Sequence, residues 1–253
     1  GGKRLRPILT IATAETLGCK DEALIEVACS LEFIHTYSLI HDDLPAMDDS
    51  DLRRGSPSCH KAHGEAVAIL AGDALLTHAF TLVSFYGSRS GNAVKANKIT
   101  AELASAAGIE GMIGGQILDL EAEGKKLEAD EIERLYKMKT GALLKASIIC
   151  GALAANADER QLSVLEEFAG KMGTAFQIVD DLLDLESTAE ELGKPVGADE
   201  ELEKSTFTAV YGAEKARIKA DQLYKEALEI LHKLECDHIL LAGLAERMVY
   251  RKK

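Results

Sequence analysis

Two groups of aspartates carry the clearest chemical signal in this 253-residue chain. The first runs Asp42-Asp43-Leu44-Pro45-Ala46-Met47-Asp48, continues through Asp49 and Asp51, and ends on Arg53-Arg54-Gly55. The second is Asp180-Asp181-Leu182-Leu183-Asp184. On a helix, residues four apart share a face, so Asp180 and Asp184 present their carboxylates to one side, with Asp181 about 100° round. Like charges at that spacing destabilise an isolated helix by about 0.2–0.5 kcal/mol per pair. A bound cation is the simplest relief. An oxygen-only donor set at short spacing suits Mg²⁺, which keeps several waters and shares its shell with substrate phosphates. Taken singly, each group also reads as a solvated acidic face or a helix N-cap.

Basic residues stand where such a reading needs them. Arg53 and Arg54 follow the first group, Lys139-Thr140-Gly141 lies in a helical pattern, Lys194 and Lys204 follow the second group, and Lys3 and Arg6 open the chain. Carboxylates for Mg²⁺ together with Arg and Lys for oxyanions are what diphosphate chemistry requires. There is no P-loop: Gly111-Met112-Ile113-Gly114-Gly115 is a weak glycine match inside a helical pattern. Cys59-His60 with His63 has no second Cys/His pair at finger-like spacing, which disfavours zinc.

Helices must hold these groups. Apolar residues recur at helical spacing over 24–40 (Leu24, Val27, Leu31, Ile34, Tyr37), over 131–149 (Ile132, Leu135, Met138, Leu143, Ile148) and over 162–183 (Leu162, Leu165, Phe168, Met172, Phe176, Val179, Leu183). A last set spans 223–248. Period-2 alternation is absent, which argues against a sheet. We expect an all-α, single-domain bundle of about ten helices over residues 1–253. The net charge of −13 argues against nucleic acid as a partner and against a polybasic membrane anchor. No uninterrupted apolar run approaches ~18 residues, so no stable membrane insertion is expected. Five cysteines without paired spacing fit a reducing, cytoplasmic compartment.

The ordered set of motifs resembles the polyprenyl diphosphate synthase family, and within it the bacterial-type farnesyl diphosphate synthases. Gly2-Lys3-Arg4-Leu5-Arg6-Pro7 is similar to the family's opening isopentenyl diphosphate motif, and His35 to Asp48 is similar to its first aspartate-rich motif with a two-residue insertion. Lys139-Thr140-Gly141, Phe176 to Asp184, Gly193-Lys194 and Lys204-Ser205-Thr206 resemble the later motifs in order. The resemblance implies an isoprenoid synthase-like bundle around a deep central cavity, and a homodimer. It implies Mg²⁺ ligands at Asp42, Asp48 and Asp180, with Asp43, Asp181 and Asp184 bound directly or through water. Arg53, Lys139, Lys194 and Lys204 would hold an allylic diphosphate. Lys3, Arg6, His35 and Arg54 would hold isopentenyl diphosphate. Thr140 and Gln177 would face the developing allylic cation, and Gln116 and Asp119 would stand behind them.

Plainer roles compete. His35 and Tyr37 fit an apolar core pattern, Thr140 can bond back to its own helix, and Gln177 can join two helices. The family's helical segment before Gly2 is missing, so the chain is expected to lack it; Ser50 and Glu203 replace a common Asp and Gly. Tyr37 lies five residues before Asp42, with Ser38 beside it, so its ring would floor the tail pocket and stop growth early. The expected reaction is Mg²⁺-dependent condensation of isopentenyl diphosphate with dimethylallyl or geranyl diphosphate to a fifteen-carbon product. A geranyl or geranylgeranyl synthase, a class I terpene cyclase and a non-catalytic subunit are the alternatives. The intact second aspartate group disfavours the last two.

Overall fold

The computed structural model describes residues 2–122, 124–125, 127–186 and 206–251. In chain order the helices are α1 (Leu5–Thr16), α2 (Leu24–Asp42), α3 (Cys59–His63), α4 (Glu65–Arg89), α5 (Ala93–Ala107), α6 (Met112–Ala122), α7 (Ala129–Tyr136), a π-helical turn (Lys137–Gly141), α8 (Ala142–Ala154), α9 (Glu159–Glu186), α10 (Phe207–Tyr211), α11 (Ala213–Leu231) and α12 (Ile239–Val249). The fold is all-α, as the periodicity predicts. Among the described residues, regular strand is confined to a small antiparallel hairpin pairing Leu52 with Pro57 and Arg53 with Ser56.

Helix α8 lies at the centre. Apart from Lys145 and Ser147 it is apolar on every face, and such a helix belongs inside a bundle. It packs against α1, α2, α5 and α9. Ser147 satisfies its hydroxyl on the Leu143 carbonyl at 2.7 Å. The α1 crossing is close: a Cβ at Gly151 would run into the Thr10 carbonyl, so the two backbones meet only because that residue is glycine. Long α9 starts at a reciprocal cap. Gln161 N–H donates to Asp158 Oδ1 at 2.8 Å, and Asp158 N–H donates to Gln161 Oε1 at 3.0 Å. Buried Leu165, Phe168, Met172 and Ile178 then carry its apolar stripe down to the second aspartate group.

The sequence pattern over 131–149 reads as one helix. The structure interrupts it with the π turn, where the apolar spacing jumps five residues from Met138 to Leu143. Glycines clamp this turn. An added Cβ at Gly115 would overlap the backbone nitrogen of Lys139, and one at Gly173 would lie 3.1 Å from the Gly141 Cα. The hairpin turns on Arg54 and Gly55, both left-handed (φ 54° and 75°), as a two-residue hairpin demands.

Helix α4 carries Gly72 and Asp73 within its apolar sequence. It is long and apolar enough to cross a membrane, and 22% of its apolar window is buried. Val67, Leu70 and Phe85 are each at least half exposed along one side.

Candidate active site

The two aspartate groups come from the C-terminal ends of α2 and α9. A cavity of about 530 Å³ opens beside the first, lined by Arg6, His35, Tyr37, Asp42, Lys139 and Thr140, with Met112, Ile113 and Ile117 of α6 along the wall. Ser38 also borders it, its hydroxyl donating to the His35 carbonyl at 3.0 Å.

Within each Asp-Asp pair the members differ. Asp42 faces the cavity, and burial raises its pKa to about 6; Asp48 and Asp43 push the same way, while Lys139 and Arg53 oppose. Asp43 is 2% exposed, and the Arg53 guanidinium forks onto it, with Nε 3.1 Å from both carboxylate oxygens. The tight hairpin makes this reach possible. It sends Arg53 back to Asp43 and lays Arg54 against Gly2, where a Cβ would collide with the guanidinium. Asp48 returns to the helix end through its backbone, its N–H donating to the Asp42 carbonyl at 2.9 Å.

In the second group Asp180 pairs with Arg251 at 2.5 Å. The Arg251 guanidinium also lies 3.9 Å from the Phe176 ring centroid and donates to the Met248 carbonyl at 2.9 Å. Asp181 is buried and accepts from the Tyr136 hydroxyl and from the Phe207 backbone N–H at 3.1 Å, with the Gln177 amide nitrogen 3.4 Å from its other oxygen. Asp184 is buried on the same helix. Lys194 and Lys204 lie outside the described residues.

A cationic half faces the carboxylates. Lys3, Arg6, Arg54 and Arg251 lie near enough to act on one another. Burial lowers the pKa of Lys3, and Arg251 and Arg54 lower it further while Asp180 opposes them. Burial brings Arg6 down to about 10, so it stays charged at neutral pH. His35 is driven to about 3, first by burial and then by Arg6, Arg54, Arg53 and Arg4. It is therefore a neutral imidazole that can donate one hydrogen bond. Arg6 Nε and Arg251 Nε are buried without a hydrogen-bond partner, as are Tyr37 Oη and Gln116 Nε2 at the cavity. Buried donors left unmet inside a cationic cluster indicate an absent anionic acceptor.

Lys139 reaches the site from the π turn and pairs with Asp119 at 2.5 Å. Thr140 follows it into the cavity wall. Sequence spacing alone missed Tyr136, which reads as one more core residue on the buried face of α7, four after Ile132, yet joins Asp181 to the Phe207 amide at 3.0 Å. No spacing rule points to a contact with a distant backbone amide.

Among the described residues no three His, Cys, Asp or Glu side chains already converge on one metal position. The donor chemistry nonetheless fits Mg²⁺. The set is oxygen-only, and burial beside two other carboxylates has raised the Asp42 pKa, which a cation would reverse. Such an ion takes the rest of its shell from waters and substrate phosphates, so it needs no preformed protein cage.

An all-α bundle that brings aspartates from two helix ends near clustered Lys and Arg side chains, with an apolar-walled cavity beside the first group, is the architecture of a helical enzyme class built around paired aspartate motifs. Comparison with known proteins is specific. The polyprenyl synthetase family model matches residues 1–241. The chain is 48% identical to the farnesyl diphosphate synthase of Escherichia coli (strain K12), over all of this chain and 86% of that one. It is 45% identical to the farnesyl diphosphate synthase of Bacillus subtilis (strain 168), over 99% of this chain and 85% of that one. A geranyltransferase from Helicobacter pylori, solved with magnesium and isoprenyl diphosphate, superposes with a TM-score of 0.87 at 36% identity, covering 98% of this chain and 83% of that one. The chain belongs to the polyprenyl synthetase family.

Proposed function

We propose that this protein is a prenyltransferase that joins isopentenyl diphosphate head-to-tail to dimethylallyl or geranyl diphosphate, with farnesyl diphosphate as its product. One observation carries the reading: Asp42, Lys139 and a buried Arg6 whose Nε is unmet line one largely apolar cavity. Asp42, Asp48, Asp180 and Asp184 would hold Mg²⁺, which when bound neutralises the departing diphosphate. Lys139 supports the allylic diphosphate, with Arg53 behind it on Asp43 and with Lys194 and Lys204 assigned by resemblance. Lys3, Arg6, Arg54 and neutral His35 bind isopentenyl diphosphate.

The allylic C–O bond breaks, and the isopentenyl double bond attacks the resulting cation. A new C–C bond forms, and a proton leaves the adjacent carbon for the departed diphosphate. The Thr140 hydroxyl and Gln177 carbonyl stabilise positive charge along this path. Met112, Ile113 and Ile117 offer the growing tail an apolar wall.

Tyr37 favours a short product, which sets the farnesyl reading above a geranylgeranyl one. We further propose a cytoplasmic homodimer in which a second copy covers the exposed side of α4, and a single domain over the whole chain. The test incubates isopentenyl diphosphate with each allylic primer and Mg²⁺ and resolves products by chain length. Fifteen-carbon product from both primers is expected; absence of any condensation rejects the reading.

A further inference from the structure

The reaction as proposed leaves Tyr136 without a task, yet it is the side chain that ties the site together. It is the last residue of α7 and is buried. Directly after it comes the π turn that carries Lys139 and Thr140. Its hydroxyl donates to Asp181 Oδ2, and the Phe207 N–H is shared between that hydroxyl at 3.0 Å and Asp181 Oδ2 at 3.1 Å. Phe207 begins α10, whose first turn is capped by Thr206 Oγ1 accepting from the Ala209 N–H at 3.1 Å. One hydroxyl thus joins three segments distant in sequence: the π turn, the second aspartate group and the start of α10.

Asp181 is 4% exposed. A carboxylate so buried is costly unless hydrogen bonds meet its charge, and here donors from Tyr136, Phe207 and Gln177 surround it. The first group repeats the arrangement: Asp43 is as deeply buried and is claimed by Arg53. In each pair the first aspartate is the more accessible, Asp42 lining the cavity and Asp180 half-exposed in its pairing with Arg251, and the second is bound inward.

We propose that Tyr136 is a positioning residue of the reaction, one that commits Asp181 to anchoring the chain at Phe207 instead of to the metal. Asp180 and Asp184 are thereby left as the metal-binding members of the group. This departs from the ligand role that resemblance gave Asp181, and it rests on the prenyltransferase reading for its metal-binding and kinetic consequences but not for the anchor itself.

Three measurements test it. The first is amide hydrogen exchange on the metal-free protein. Tyr136→Phe should speed exchange at Phe207 and in α10 while the amides of α9 over Leu165–Ile178 keep their protection. Unchanged exchange at Phe207, or equal loosening of α9, overturns the anchor. The second is calorimetric titration of Mg²⁺ in the presence of a non-reactive thio analogue of the allylic diphosphate. Asp180→Asn should lose most of the binding and Asp181→Asn should keep it; equal loss overturns the division of labour. In turnover, Tyr136→Phe should lower kcat by about 10²-fold with KM for isopentenyl diphosphate unchanged. If the unaltered protein takes up no Mg²⁺ with the analogue, the prenyltransferase reading fails while the exchange result still decides the anchor. Should Tyr136→Phe not fold, Asp181→Asn serves in both arms.

Discussion

Tyr37 closes the cavity one helical turn before Asp42, with its hydroxyl buried and without a partner, and burial pushes its pKa up to about 12. Removing the ring and removing the hydroxyl therefore have different outcomes. Tyr37→Ala should shift products to longer chains, resolved by chromatography, and lower the melting temperature. Tyr37→Phe should leave product length alone and raise stability by about 1 kcal/mol, since an unmet buried hydroxyl costs more than none. His35 makes a second prediction. Its folded pKa of about 3 lies below the unfolded 6.5, so the folded state resists protonation. The stability tied to neutral His35 is complete above pH 6.5 and is lost as pH falls towards 3. The melting temperature should drop from pH 7 to pH 4, and His35→Gln should flatten that slope; an unchanged slope refutes the assignment. At this scale the sequence was informative about residue types with few plausible jobs, such as paired aspartates and clustered arginines. It could not separate Asp42 from Asp43, or Asp180 from Asp181. That difference comes from which side of a helix end meets Arg53 or Tyr136, and these partners arrive from other elements.

Among the elements, the π turn sets the site most directly, because it aims Lys139 and Thr140 at the cavity and hands the chain on to the buried α8. Its shape depends on Gly115. Gly115→Ala would press a methyl into the Lys139 backbone, so the turn must shift. We expect kcat/KM to fall by about 10²-fold, the cost of a displacement near 1 Å, together with a lower melting temperature. Activity equal to the parent would show that the turn tolerates the shift. Most helices were legible from 3.6-residue periodicity, since each buries one stripe. Helix α8, hydrophobic all round, was legible only as the tail of a longer pattern. The five-residue step from Met138 to Leu143 was a visible sign of the π turn, but its cause, the clamping glycines of α6 and α9, is tertiary. The hairpin was less visible, because Arg54 takes a left-handed conformation more usual for glycine or asparagine.

For the molecule as a whole, the exposed apolar side of α4, with Val67, Leu70 and Phe85, is a departure from a self-contained bundle. Charges placed there should separate copies without touching the cavity. Combined Val67→Glu and Leu70→Glu should convert a dimer to a monomer in sedimentation velocity; a parent that is already monomeric rejects the proposed interface. The apolar length of α4 was readable in the sequence, but its exposure was not, because surface helices and core helices share that composition. The cationic cluster carries a different consequence. Lys3 and Arg251 both act on Asp180, so residues near opposite ends of the described chain, with one from its middle, form a single site. Such a site has very high contact order. On a ribosome, Lys3 and Arg6 emerge long before Arg251 is made, so a nascent chain holds the early cations of the cluster without Arg251. The cationic cluster around Asp180 is thus complete only after Arg251 has been made, and a chain stopped before it would carry both aspartate groups without that arginine.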